Sequence, residues 1–424
     1  MEKVLLFEIN DACYQSYHYF TQSIAAELEK SGYDVEIFHG TKDKLDELEK
    51  YIGKSYKACI DFNSFLPKLI RDDDSFLIDA IDAPFYDFIL DHPLYHHDSL
   101  RRNLRDFHVF CLDENHKKYI EKYYPHIKRV HMIPITGEEF LQPEAITARA
   151  EKNEAVRIGD EIRAGYNEAV QDESVTWSDK TVSGITVADK NIDVLFTGTY
   201  VNPGEILDLI NEEPEFMKED ILFLIDQMLT HNEMTQEDAL QIRMKESDYI
   251  EEENFSLFMQ RYFLADTYVK AFIREKIIKS IAEAQIPVTV CGYGWDKLFG
   301  TEQKALTILK EIPYHNIFKL MSEAKILLNI MPLFKAGAHD RVFSGMMNKC
   351  LCLTDSSSYL EKNFENFKNI VFFDLNHLED ISNIITKLLE NPTQMKAISE
   401  AGYTITKEKH TWKNRVEEIL EAIQ

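Results

Sequence analysis

The chain has 424 residues, enough for two or three domains, and its 45% hydrophobic and 28% charged residues are those of an ordinary globular protein. Asp and Glu number 73 against 47 Lys and Arg, a net charge of -26. That excess excludes long-range attraction to nucleic-acid phosphates or to an anionic membrane surface, while one local basic pocket for a diphosphate stays compatible with it.

The six cysteines (Cys13, Cys59, Cys111, Cys291, Cys350, Cys352) are scattered, mostly in strand-like runs. They predict reduced, buried thiols and a cytoplasmic protein. The opening M-E-K-V-L-L-F-E-I is too short and too acidic for a secretion signal. No apolar run approaches the ~18 residues that span a bilayer.

Residues 3–9 read as a buried strand, and residues 17–31 as an amphipathic helix closed by Gly32. Strands are predicted at 33–38, 58–62, 76–81, 108–112 and 129–133, with helices at 45–51 and 114–124. This alternation predicts a doubly wound α/β domain over residues 1–137. No G-x-G-x-x-G follows the first strand, which disfavours a dinucleotide site there. Residues 138–190 are poor in large apolar side chains. They read as a helix over 144–170 and a linker over 171–190.

A second domain, 191–424, opens with N-I-D-V-L-F-T-G-T-Y, a strand ending in a glycine turn. Residues 205–285 show helical periodicity, as in Ile221, Leu222, Leu224, Ile225, Met228 and Leu229. This block exceeds what one crossover needs. It reads as an insert that packs over a cleft, offers a surface to a protein partner, or merely elaborates the fold. V-T-V-C-G-Y-G-W, A-K-I-L-L-N-I and C-L-C-L-T-D then supply buried runs separated by helices, the pattern of a parallel sheet. A strand at 371–373 and helices at 378–389, 392–398 and 413–423 complete the chain.

Ligands of such sheets sit beyond the carboxyl ends of the strands. Thr197, Gly198 and Thr199 fall at one end, Gly292, Tyr293, Gly294 and Trp295 at a second, and Asn329 at a third. A helix expected to begin near Asp340 would offer N–H groups to a phosphate, with Arg341 or Lys335 as the countercharge and His339 alongside. The bland alternatives are a core Trp295, a capping Asn329, and an Arg341 paired with a neighbouring acid.

The ordered pieces G-Y-G-W, I-P-Y-H-N, L-L-N-I, D-R-V-F-S-G-M-M, L-C-L-T-D and H-T-W-K-N-R resemble the carboxyl-terminal half of GT-B glycosyltransferases. The likeness spans roughly residues 190–424 and is greatest to the bacterial CgeB-related and group-1 transferases. It implies two Rossmann-like doubly wound domains facing a cleft, with the last helix packing back on the first domain. It also implies a nucleotide-diphosphate sugar as donor, metal-independent transfer to a hydroxyl of a glycan, protein or lipid acceptor, no cofactor, and a nucleobase contact near Tyr314. A sugar-nucleotide epimerase or a non-catalytic relative would share the same plan. Many retaining members carry two glutamates with seven residues between them. Aligned on G-M-M, those positions hold Ala336 and Ser344, so stereochemistry and activity both stay open.

On the acceptor side, D-A-P-F-Y-D-F-I-L-D-H-P-L-Y-H-H-D is dense in carboxylates and imidazoles. Asp91 and His92 precede Pro93 and so lie in a non-helical turn. His92 is the expected base, oriented by Asp91. Asn10, Asp11 and Tyr14, after the first strand, are the other acceptor-side candidates, and loop capping is their plain alternative. His92, His96 and His97 lack convincing metal spacing, and no metal is expected.

Overall fold

The computed structural model describes residues 2–9, 13–40, 42–140, 190–298 and 304–424. The helix expected over 144–170 and nearly all of the 171–190 linker lie outside the described residues. Strands β1 (Lys3–Ile9), β2 (Asp34–Gly40), β3 (Ala58–Phe62), β4 (Phe85–Phe88), β5 (Phe107–Cys111) and β6 (Arg129–Met132) form one six-stranded sheet, in the order β2-β1-β3-β4-β5-β6. Strands β7 (Ile192–Thr197), β8 (Val288–Cys291), β9 (Leu306–Leu309), β10 (Ala324–Asn329), β11 (Leu351–Asp355) and β12 (Val371–Phe373) form a second, in the order β12-β11-β10-β7-β8-β9. All pairings are parallel. Helices cover both faces, so central strands such as β3, β5 and β11 are buried along their whole length. The expected pair of doubly wound domains is present.

Each sheet has one place where the strand order reverses. In the first sheet it lies between β1 and β3, and in the second between β7 and β10. Crossovers leave these neighbours in opposite directions, so their carboxyl ends open a crevice. The first crossover helix, α1 (Ser16–Lys30), buries Tyr17, Phe20, Ile24 and Leu28 at three- and four-residue spacing. Gly32 ends it at φ +90.

One strand lies elsewhere than the sequence suggests. Residues 77–80 form a single 3-10 turn, and the strand of that region is Phe85–Phe88. The reason is Asp87, which is 0% exposed inside the strand and disguises it as a polar turn. Ser64 satisfies that carboxylate through its backbone N–H and its hydroxyl.

The lobes touch along a seam. Asp113 caps α2 (Glu114–Tyr123) by accepting from Asn115 N at 2.7 Å, and its other oxygen accepts from Ala336 N of the second lobe at 2.8 Å. Gly337 follows because a Cβ there would lie 2.2 Å from the Leu112 carbonyl oxygen. Between β7 and β8 come five helices: α3 (Pro203–Glu212), α4 (Glu215–Thr230), α5 (Gln236–Glu246), α6 (Phe255–Arg261) and α7 (Phe263–Glu283). This insert reaches the first lobe through a stacked Tyr123–Phe255 pair at 4.8 Å and a Gln260 to Asp98 hydrogen bond at 3.2 Å. The last helix (Trp412–Ala422) lies on the first lobe, where Val416 and Ile419 join Leu6, Ile60 and Phe88 in one core. Its Trp412 is buried and donates to the Tyr19 hydroxyl at 3.0 Å.

Trp412→Ala should therefore lower stability by about 3–5 kcal/mol, the usual cost of removing a buried aromatic. Urea unfolding measures it, and an unchanged midpoint would show that the helix does not hold the lobes together.

Candidate functional site

The crevice between β7 and β10 is built from glycines and cations. Gly198 (φ +149) and Gly292 (φ +146) adopt backbone that side chains rarely tolerate, and a Cβ on Gly292 would lie 2.4 Å from the Gly198 carbonyl oxygen. The two strand ends therefore approach closely and leave backbone open to a ligand. Trp295 is wholly buried, and its Nε1 donates to the Gly198 carbonyl at 2.7 Å, which fixes the turn from beneath. Thr197 is buried, while Tyr293 is 59% exposed at the tip of the glycine turn, ahead of the left-handed Gly294.

Across the crevice, the helix Asp340–Met347 begins at His339 with no side chain capping its N–H groups. Arg341 reaches back, with Nη1 3.4 Å from Asn329 Oδ1. Arg274, on α7, donates to the Thr199 carbonyl at 2.6 Å. Both guanidinium carbons stand 5.4 Å from the centre of the Phe196 ring. Among the described residues, no carboxylate lies within ion-pair distance of either arginine. Burial and the charge of Arg341 push Arg274 down to about 10, and burial also lowers Arg341 despite Asp340 nearby. His339 touches Asn329 Oδ1 through Nδ1 at 3.3 Å. Burial, followed by the charges of Arg341, Arg274 and Lys270, holds its pKa well below the ordinary range, so the ring is neutral.

Three expected donor contacts have other partners. Asp340 binds the Tyr314 hydroxyl. The Tyr314 ring is packed among Tyr19, Phe20 and Phe318 at the seam, at 5.2, 5.2 and 5.6 Å. Lys335 donates to the Asn232 carbonyl of the insert instead of facing the crevice. Asn329, buried, caps no helix; its Nδ2 donates to Thr354 Oγ1 at 2.9 Å, so its Oδ1 is aimed at His339 and Arg341.

On the first lobe, Asn10 and Asp11 lie outside the described residues. Tyr14, at φ +58, hydrogen-bonds Thr199 Oγ1 at 2.7 Å and so joins the two crevices. The expected Asp91–His92 pair is corrected. His92 Nδ1 accepts from Leu94 N at 3.0 Å, and Nε2 donates to Glu237 of the insert at 2.8 Å. Both ring nitrogens are thus occupied, and the orienting acid comes from a different lobe. Asp91 instead accepts from Asn63 Nδ2 at 3.1 Å. His96 and His97 point apart, to Ser64 Oγ and to the Tyr124 hydroxyl.

Residues 274–421 match the model of a family described as glycosyl transferase-like, about a third of the chain. Solved structures resemble the whole of it. One is HepE of Anabaena in complex with UDP-glucose, at 10% identity, TM-score 0.50, with 100% of this chain and 99% of that chain covered. Another is an alpha-glucosyltransferase in complex with UDP, at 10% identity, TM-score 0.53, with 100% of both chains covered. The fold is GT-B. No curated protein matches in sequence.

In this GT-B chain the positions of the two missing glutamates are structural. Ser344 is 0% exposed and donates to the Asp340 carbonyl at 2.9 Å, and a Cβ on Gly137 would lie 2.0 Å from its Oγ. Ala336 is the residue whose N–H docks on Asp113. At Ser344 the close approach of Gly137 leaves no room for a carboxylate. The sequence reading missed Arg274, and it missed Lys270, which pairs with Asp266 one turn before it. The run K-A-F-I-R-E-K sits in a helix that also carries Asp266, Lys279 and Glu283, so these cations did not stand out from an ordinary charged face.

Glu237→Ala should leave the His92 Nε2–H unpaired and cost about 1–3 kcal/mol. Amide exchange on α5 and on residues 92–97 should rise together; exchange confined to α5 would show that the contact does not join insert and lobe.

Proposed function

We propose that the protein is a glycosyltransferase that moves a sugar from a nucleoside-diphosphate sugar to an acceptor hydroxyl. One observation carries this reading: two guanidinium groups without acidic partners flank a glycine-lined strand end and an uncapped helix N-terminus. A diphosphate supplies the missing negative charge and accepts from the open N–H groups. UDP-glucose is the first donor to test, because HepE and the alpha-glucosyltransferase were crystallised with UDP-glucose or UDP.

In this reading Arg274, Arg341 and the helix starting at Asp340 neutralise charge on the leaving diphosphate. They take the part a metal ion plays elsewhere, so transfer is metal-independent. The bond from the sugar C1 to phosphate oxygen breaks, a bond from C1 to the acceptor oxygen forms, and the acceptor proton passes to a base. Asp91 suits that role better than His92, since it is exposed and its Oδ2 accepts from an amide, while both ring nitrogens of His92 are engaged. Neutral His339 is available to hydrogen-bond the sugar. Five cysteines, each free and buried, support a cytoplasmic setting. A binding-only reading is favoured by one fact, the replacement of both glutamates by Ala336 and Ser344.

Calorimetry with UDP should show binding that Arg274→Ala and Arg341→Ala each weaken about 10- to 100-fold, the value of a charge-assisted contact. Unchanged affinity would refute the phosphate assignment. Asp91→Asn should abolish transfer to acceptor while UDP affinity persists. Binding without any donor turnover across a panel of acceptors would favour the binding-only reading.

A further inference from the structure

A second cluster of ionisable groups lies away from the cation crevice. Glu8 sits near the end of β1 with its side chain 0% exposed. An isolated buried carboxylate is costly, and this one is met by two imidazoles from two other elements. His18 Nδ1, from the first turn of α1, is 2.7 Å from Glu8 Oε1. His39 Nδ1, opposite Glu8 in β2, is 3.2 Å from Oε2. Candidate ligand atoms of all three residues lie within 4.8 Å of one another. Both histidines keep a side-chain exposure of 39% and 50%, which leaves a path from solvent.

We propose that Glu8, His18 and His39 form a binding site for a divalent transition-metal ion of the zinc class. Two imidazoles and one carboxylate with an open position are a donor set that suits zinc, nickel or cobalt and is too rich in nitrogen for magnesium or calcium. Zinc bonds of about 2.0–2.1 Å place tetrahedral donors roughly 3.3 Å apart. The His39 contact already matches that edge, and the His18 contact needs a shift of about half an ångström by a half-exposed ring. Gln22 Nε2, 3.4 Å from Oε2, orients the Glu8 carboxylate from the outer side.

The site would tie β1, β2 and α1 together beside the turn that carries Tyr14 to Thr199. Its ligands come from positions 8, 18 and 39, so no short motif announces them. The proposal is independent of the transferase reading, which assigns these residues no part.

The test uses the full chain, stripped with a chelator and dialysed. Calorimetry with zinc chloride should give one ion per chain at micromolar affinity, with a rise in Tm, and magnesium chloride should give neither. His18→Gln and His39→Gln should each weaken zinc binding at least tenfold, with unchanged circular dichroism and unchanged UDP affinity. Absence of stoichiometric zinc binding by the wild type would overturn the site. So would wild-type affinity in both variants, which would place the ion elsewhere.

Discussion

Two guanidinium groups stand 5.4 Å from the centre of one phenylalanine ring, and among the described residues no acid lies within ion-pair distance of either. That arrangement is unfavourable alone: like charges repel, and each has lost part of its water. It persists because its surroundings leave the groups nowhere else to go. Phe196 offers a face to both, the Thr199 carbonyl holds Arg274, and Asn329 Oδ1 holds Arg341. Asn329 is oriented in turn by Thr354, and the Thr199 turn by Trp295 beneath Gly198. The second lobe thus holds two buried cations at the carboxyl end of its sheet.

The remainder of the architecture serves that crevice. Strand reversal between β7 and β10 opens it, and reversal between β1 and β3 opens its counterpart on the first lobe. Tyr14 and Thr199 bring the two openings together. The seam is fixed at several separate places: Asp113 against Ala336, Trp412 against Tyr19, and the insert against His92. Because His92 is spent on that last contact, the residue with the most suggestive sequence context is a fastener, and Asp91 beside it is the better acid–base candidate.

Local pattern made most of the fold legible. Buried runs alternating with helical periodicity predicted two doubly wound domains, and the glycine turns after β7 and β8 predicted backbone open to a ligand. Composition argued for a protein with no affinity for polyanions yet room for one basic pocket. Where the pattern misplaced a strand of the first lobe, a buried polar group was the cause. Asp87 hid a strand, because a carboxylate inside a sheet is tolerated only when a distant Ser64 satisfies it.

Strand ends, glycine turns and the helix start at Asp340 are properties of consecutive residues, so the sequence by itself determined them. It also determined which side chains carry charge. Which charges meet was decided only in three dimensions. Arg274 comes from an insert and lies 67 residues before Arg341 along the chain, and His92 finds its acid 145 residues away. Pairings over such distances depend on how helices pack across the cleft, and packing leaves no periodic trace in the chain.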